Sequence, residues 1–159
     1  MLERIGSPLF TFANPPSYRS GTLSPIGTFA ARLSAQPLSV RQPWAWAIIY
    51  AGKDIENRTW NTHLSQTIAI HASGNLDKDA VLPEGIDKPD IEDLRRGAII
   101  GLVDIVDVVT EHPSKWFVGP YGFVLENPQP LSRPIPCKGA LGFWRVPPDV
   151  QEEMEIQLT

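Results

Sequence analysis

Apolar residues follow two rhythms along this chain. Around Trp44 they recur at helical spacing, with Trp44, Ala47, Ile48 and Ala51 forming one stripe. Pro43 suits the first turn of such a helix, where its missing N–H costs nothing, and Gly52 supplies the left-handed residue that stops it. Beyond the stop the rhythm changes to alternation. Lys53 to Trp60 reads as a strand with Asp54, Glu56, Arg58 and Trp60 on one face and Ile55 on the other. Strict alternation puts Lys53 opposite Glu56. Lys53, Glu56 and Arg58 therefore converge only if Lys53 sits in the turn after Gly52 rather than in the ladder. A strand that sets an acid, a base and an indole on one face has a surface or cleft to present.

The alternation resumes from Thr67 to Ala72, where Ile68, Ile70 and Ala72 share a face and His71 takes the other. Ser73 to Arg96 is loop-rich, with a short helix predicted over Asp90 to Arg96 between Pro89 and Gly97. Ala98 to Val109 is the clearest strand, a β-branched run in which Gly101 marks a bulge. Asp104 and Asp107 fall on its opposite faces. Glu111 to Pro120 is a connecting loop carrying Trp116 and Phe117. Tyr121 to Glu126 and Leu141 to Val146 read as closing strands, separated by a proline-rich extended segment. Short strands punctuated by turns predict an α+β, mainly β fold, a small β-barrel with one or two short flanking helices.

The residues also carry a family resemblance. Gln42-Pro43-Trp44-Ala45, followed by Lys53, Glu56 and Arg58, resembles the helix start and the G-x-K-x-x-(E/T)-x-R run of the activating signal cointegrator homology (ASCH) domain. That family is a branch of the PUA-like β-barrels. The glycine two before the family lysine is Ala51 here, with Gly52 shifted next to Lys53. Ile68 to Ala72, Gly97 to Val109 and Pro134 to Val146 are similar to family strands, so the resemblance spans residues 37–148. It implies a PUA-like domain whose cleft binds RNA or a nucleotide-like ligand. Some members are amidohydrolases acting on an acetylated cytidine, and others are linked to RNA cleavage. A protein-interaction module in transcription or translation control is a further alternative, because members occur fused to such machinery.

Composition narrows the partners. Residues 37–148 hold eleven Lys plus Arg against thirteen Asp plus Glu, so the domain is slightly acidic and has no general electrostatic grip on nucleic acid. Residues 149–159 add four acids and no base and read as an acidic tail. Residues 1–36 carry Pro8, Pro15, Pro16 and Pro25 among many Ser, Thr and Gly without periodicity, and read as a flexible extension. A transit peptide would use Arg4, Arg19 and Arg32, but the prolines oppose the amphipathic helix it needs. No apolar run is long enough to span a bilayer. A single cysteine, Cys137, makes no internal disulfide and points to a reducing, cytoplasmic setting.

Candidate chemistry centres on Lys53, Glu56 and Arg58. A cation pair there holds a phosphate while Glu56 accepts from a base amino group or a ribose hydroxyl. As catalysts, Glu56 would serve as base, with Lys53 and Arg58 stabilising developing negative charge. The amidohydrolase branch has a threonine where this chain has Glu56, so that hydroxyl is absent. The further acidic residue that the resemblance implies falls on the Gly97–Val109 strand, with Asp104 the nearest. Arg41 extends the basic surface, Trp44 and Trp60 offer stacking faces, and His71 offers an acid, a base or a stacking ring. His63, His112 and Cys137 lack the close spacing of a metal site, and no cofactor is expected.

Overall fold

The structure, a computed structural model, describes residues 25–63 and 65–159. Elements run in the order α1 (Phe29–Leu33), β1 (Gln36–Gln42), α2 (Trp44–Tyr50), β2 (Ile55–Arg58) and β3 (Gln66–Leu76). After a single 3₁₀ turn (Ile91–Asp93) come β4 (Ala98–Val109), β5 (Tyr121–Pro136) and α3 (Pro148–Leu158). The strands form one sheet of five in the order β1-β3-β4-β5-β2. β1 pairs in parallel with β3, and the other ladders are antiparallel.

The expected closed barrel is corrected to an open sheet. β1 and β2 are its two ends and do not pair with each other. The β2 ladder covers only four residue pairs, from Ile55 to Arg58 against Val124 to Tyr121, too short to complete a circuit. The seam between the ends is spanned instead by a side chain, with Arg58 Nη2 donating to the Ser39 carbonyl at 2.8 Å.

Two apolar layers flank the sheet. On one face Val40, Ile68, Ile70, Val103, Ile105 and Phe123 pack against Ala45, Ile48 and Ile49 of α2. On the other, Ala69, Ile99, Leu102 and Ile135 pack against Val150 and Met154 of α3. Ile99 and Leu102 lie three apart yet share a face, because the β4–β5 register shifts between Ile99 and Gly101. Gly101 is required at that bulge: a Cβ there would lie 2.7 Å from the Gln129 carbonyl oxygen and 2.7 Å from Ile49 Cδ1.

Five expectations are revised here. The proline-rich segment belongs to β5 itself; β2 covers only Tyr121 to Val124, and among the described residues no strand pairs with the outer edge of β5 beyond it, so proline is tolerated there. Leu141 to Val146 makes only an isolated bridge, Leu38 to Phe143, in a stretch broken by Gly142 at φ 66°. The residues read as an acidic tail form α3, whose Val150 and Met154 (i, i+4) are buried while the acids face water. Residues 1–24 of the expected extension lie outside the described residues. From residue 25 the chain is folded: Thr28 caps α1 by accepting from the Ala31 amide, Ala31 is buried, and Gln151 of α3 donates to the Leu33 carbonyl at 2.7 Å. Only a 3₁₀ turn, Ile91–Asp93, stands in place of the helix expected over Asp90 to Arg96. Among the described residues no helix is long and apolar enough to cross a membrane.

Candidate functional site

The end of α2 sets the site. Gly52 takes φ 74°, and both Ala51 and Lys53 direct their amides onto the Ala47 carbonyl at 3.0 Å. Lys53 thus lies in the turn ahead of β2 and outside its ladder. This is the condition under which the three charged residues meet. Lys53 Nζ donates to Glu56 Oε1 at 3.0 Å and also to the Ile55 carbonyl. Arg58 Nη2 reaches Glu56 Oε2 at 3.0 Å. The side chains of Lys53, Glu56 and Arg58 are 3%, 10% and 20% exposed, so this is a nearly dry cluster and not a solvated surface pair.

The cluster forms one wall of a 620 Å³ cavity set in the seam between β1 and β2. Ser39, Val40 and Arg41 line it from β1, and Glu56, Asn57 and Arg58 from β2. Trp44, Trp60 and Trp116 supply its aromatic surface. Trp44 donates its indole N–H to Asp77 Oδ2 at 2.8 Å, which fixes the ring, and Lys53 Nζ lies 5.9 Å from the ring centre. That hydrogen bond, with the Asp79 amide and the nearby Arg41 and Lys88, holds the Asp77 carboxyl below the usual carboxylate range. Trp60 is held edge-on by Phe123 and Phe143, with ring centres 5.3 and 5.6 Å away.

The structure therefore brings together Arg41, Trp44, Lys53, Glu56, Arg58 and Trp60. It does not bring His71 or Asp104. His71 is 1% exposed on the face of β3 turned from the α2 core, where its ring bonds Ser39 Oγ at 3.0 Å and the Cys137 carbonyl at 2.8 Å. Because a carbonyl only accepts, Nε2 carries the proton in the neutral ring and Nδ1 accepts from Ser39. Burial depresses the His71 pKa, with the Cys137 carbonyl opposing in part. Trp144 covers the ring edge-on at 5.3 Å. Asp104 accepts from Thr67 Oγ1 at 2.6 Å and Asn127 Nδ2 at 2.9 Å, a buried tie between strands. Neither residue lines the cavity.

Three contributors escaped the sequence reading. Asn57 donates to the Trp116 carbonyl at 3.0 Å and accepts from the Val118 and Gly119 amides at 2.7 and 2.9 Å. It thereby pins the 114–119 loop over the cavity. Its signal was available: a polar residue on the face of Ile55 needs partners. Asp77 and Lys115 stand in loops, where no period marks them. Among the described residues no three of His, Cys, Asp and Glu converge as metal ligands.

The chain is similar to known proteins. The ASCH domain family matches residues 38–130. Human activating signal cointegrator 1 is 26% identical and its mouse counterpart 25%, each over 126 residues covering 69% of this chain. The chain spans only 22% of the length of these curated relatives. The crystal structure of ASCH from Zymomonas mobilis aligns over 78% of this chain and 94% of its own, at 14% identity and a TM-score of 0.46.

Proposed function

This chain belongs to the ASCH domain family, and on that footing we propose that its cleft binds RNA or a nucleotide-like ligand, one nucleotide unit at a time. The observation that carries the reading is the buried Lys53–Glu56–Arg58 cluster in a cavity of 620 Å³ with three indoles on its walls. Small-ligand sites commonly fall at about 300–1,000 Å³ and combine apolar walls with a few convergent polar groups. Indoles stack on any base, and a carboxylate held by two cations keeps lone pairs for a base amino group. The net charge of −4 argues against a long electrostatic track along a polymer, so recognition rests on the cleft itself. The lone Cys137 fits a reducing, cytoplasmic setting.

A hydrolytic use of the same residues is the second reading, favoured by the burial of so much charge in a cavity wall. Incubating purified protein with single-stranded RNA and with acetylated cytidine separates the two. Saturable binding that weakens in Arg58→Lys, without turnover, supports the binding site. Turnover lost in Glu56→Gln assigns the hydrolase. Neither binding nor turnover with either compound refutes both.

A further inference from the structure

Charge is layered within the cleft in a way that orients a ligand. The lining carries four cations, Arg41, Lys53, Arg58 and Lys115, against two carboxylates, Glu56 and Asp77. The two deeper cations are already engaged with Glu56: Lys53 holds Glu56 Oε1 and the Ile55 carbonyl, while the part-buried Arg58 holds Glu56 Oε2 and the Ser39 carbonyl through Nη2, its Nε standing buried without a partner. A phosphate drawn to that depth would lie against the Glu56 carboxylate. It would also pull away the cations that keep this buried charge compensated, which is strongly unfavourable.

The exposed cations differ. The Arg41 side chain is 57% exposed and meets Asp77 only at 3.7 Å. Lys115 is exposed and has no ion pair among the described residues. Such loosely held charges lose little when they turn to an incoming anion. The cavity lining also holds two half-buried flat rings of fixed orientation, Trp44 tied by Asp77 and Trp60 packed edge-on against two phenylalanines. They suit an uncharged planar ring.

We propose that the nucleotide enters base-first, with its hydrogen-bonding edge on Glu56, its ring beside Trp44 and Trp60, and its phosphate left at the mouth on Arg41 and Lys115. This orientation rests on the nucleotide reading above and reverses the simpler expectation that Lys53 and Arg58 hold the phosphate. A phosphate at the mouth also leaves room for the strand to continue, so one unpaired unit of a longer single strand fits as well as a free nucleotide.

Calorimetric titration with the four ribonucleosides and their 5′-monophosphates tests it on the full chain. The wild-type protein prefers the monophosphate, and raising the ionic strength erodes that preference. In Arg41→Ala/Lys115→Ala the monophosphate-to-nucleoside affinity ratio falls about tenfold toward one, the combined effect of two exposed cation–phosphate contacts. Arg58→Lys, which keeps the charge, weakens nucleoside and monophosphate by the same factor. A ratio retained in the double variant but lost in Arg58→Lys would put the phosphate beside Glu56 and overturn the orientation alone. So would a wild-type protein that binds nucleoside and monophosphate equally. No binding of any nucleoside or monophosphate at millimolar concentration would overturn the nucleotide reading together with the orientation.

Discussion

Replacing Lys53 by Met keeps the length of the side chain and removes its charge. Glu56 then retains only Arg58, in a place where its side chain is 10% exposed, and the Ile55 carbonyl loses a charged donor. Removing one partner of a buried ion pair typically costs about 3–5 kcal/mol. Because Arg58 still holds the second oxygen, the lower part of that range applies, about 3 kcal/mol with the carbonyl included. For a domain of this size that corresponds to a fall of roughly 6–12 °C in the unfolding midpoint. Thermal and urea melts followed by circular dichroism read it directly, with no ligand needed. The double variant Lys53→Met/Glu56→Gln leaves no unpaired buried carboxylate, so it recovers a substantial part of the loss, a coupling of about 1–3 kcal/mol. A Lys53→Met midpoint within roughly 2 °C of wild type would show that water solvates Glu56 in solution. The dry cluster on which the site assignment depends would then not exist.

Two further outcomes are expected. His71 has a folded-state pKa below its unfolded value of 6.5, so the unfolded chain binds the extra proton. The stability this residue contributes is therefore complete above pH 6.5 and is lost as pH falls from there through the folded-state value; urea midpoints should drop less between neutral pH and pH 5 in His71→Gln than in wild type, and equal slopes would show that the ring is not held neutral by burial. Asn57→Ala removes three hydrogen bonds from the 114–119 loop, so amide exchange at Val118 and Gly119 should accelerate at least about tenfold, the equivalent of ~1.4 kcal/mol, while β4 amides stay protected. Unchanged exchange would mean the loop is held from elsewhere.

Where the sequence was legible, a local rule was acting alone. The helix at Trp44, its stop at Gly52, the bulge at Gly101 and the run of β4 each follow from spacing and glycine chemistry within a few residues. The meeting of Lys53, Glu56 and Arg58 was legible as a condition, because Gly52 decides whether Lys53 joins the ladder. What escaped depends on distant partners. The acids of residues 149–159 masked the Val150 and Met154 stripe, since net charge describes a segment and burial describes one face of it. His71 reads as an acid, base or stacking ring on a strand face until the 137–144 segment is laid over it, and Gly139 approaches so closely that a Cβ there would sit 2.6 Å from the ring. Closure of a barrel is likewise a property of all the strands at once. No pattern within β1 or β2 records that their ladders stop short of each other.

The open seam has a consequence for life in a crowded solution. Strands at the edges of a sheet usually invite other chains to add on, and proteins guard them with charge, brevity or cover. Here the guard is mutual. β2 has only four residues, Arg41 projects from β1, and Arg58 ties up the Ser39 carbonyl that a foreign strand would seek. The hollow proposed to receive a ligand is thus also a place where strand-edge backbone is kept from its neighbours. A substitution at Arg58 should be watched for self-association as closely as for lost binding, because under the proposed reading one guanidinium serves both recognition and solubility.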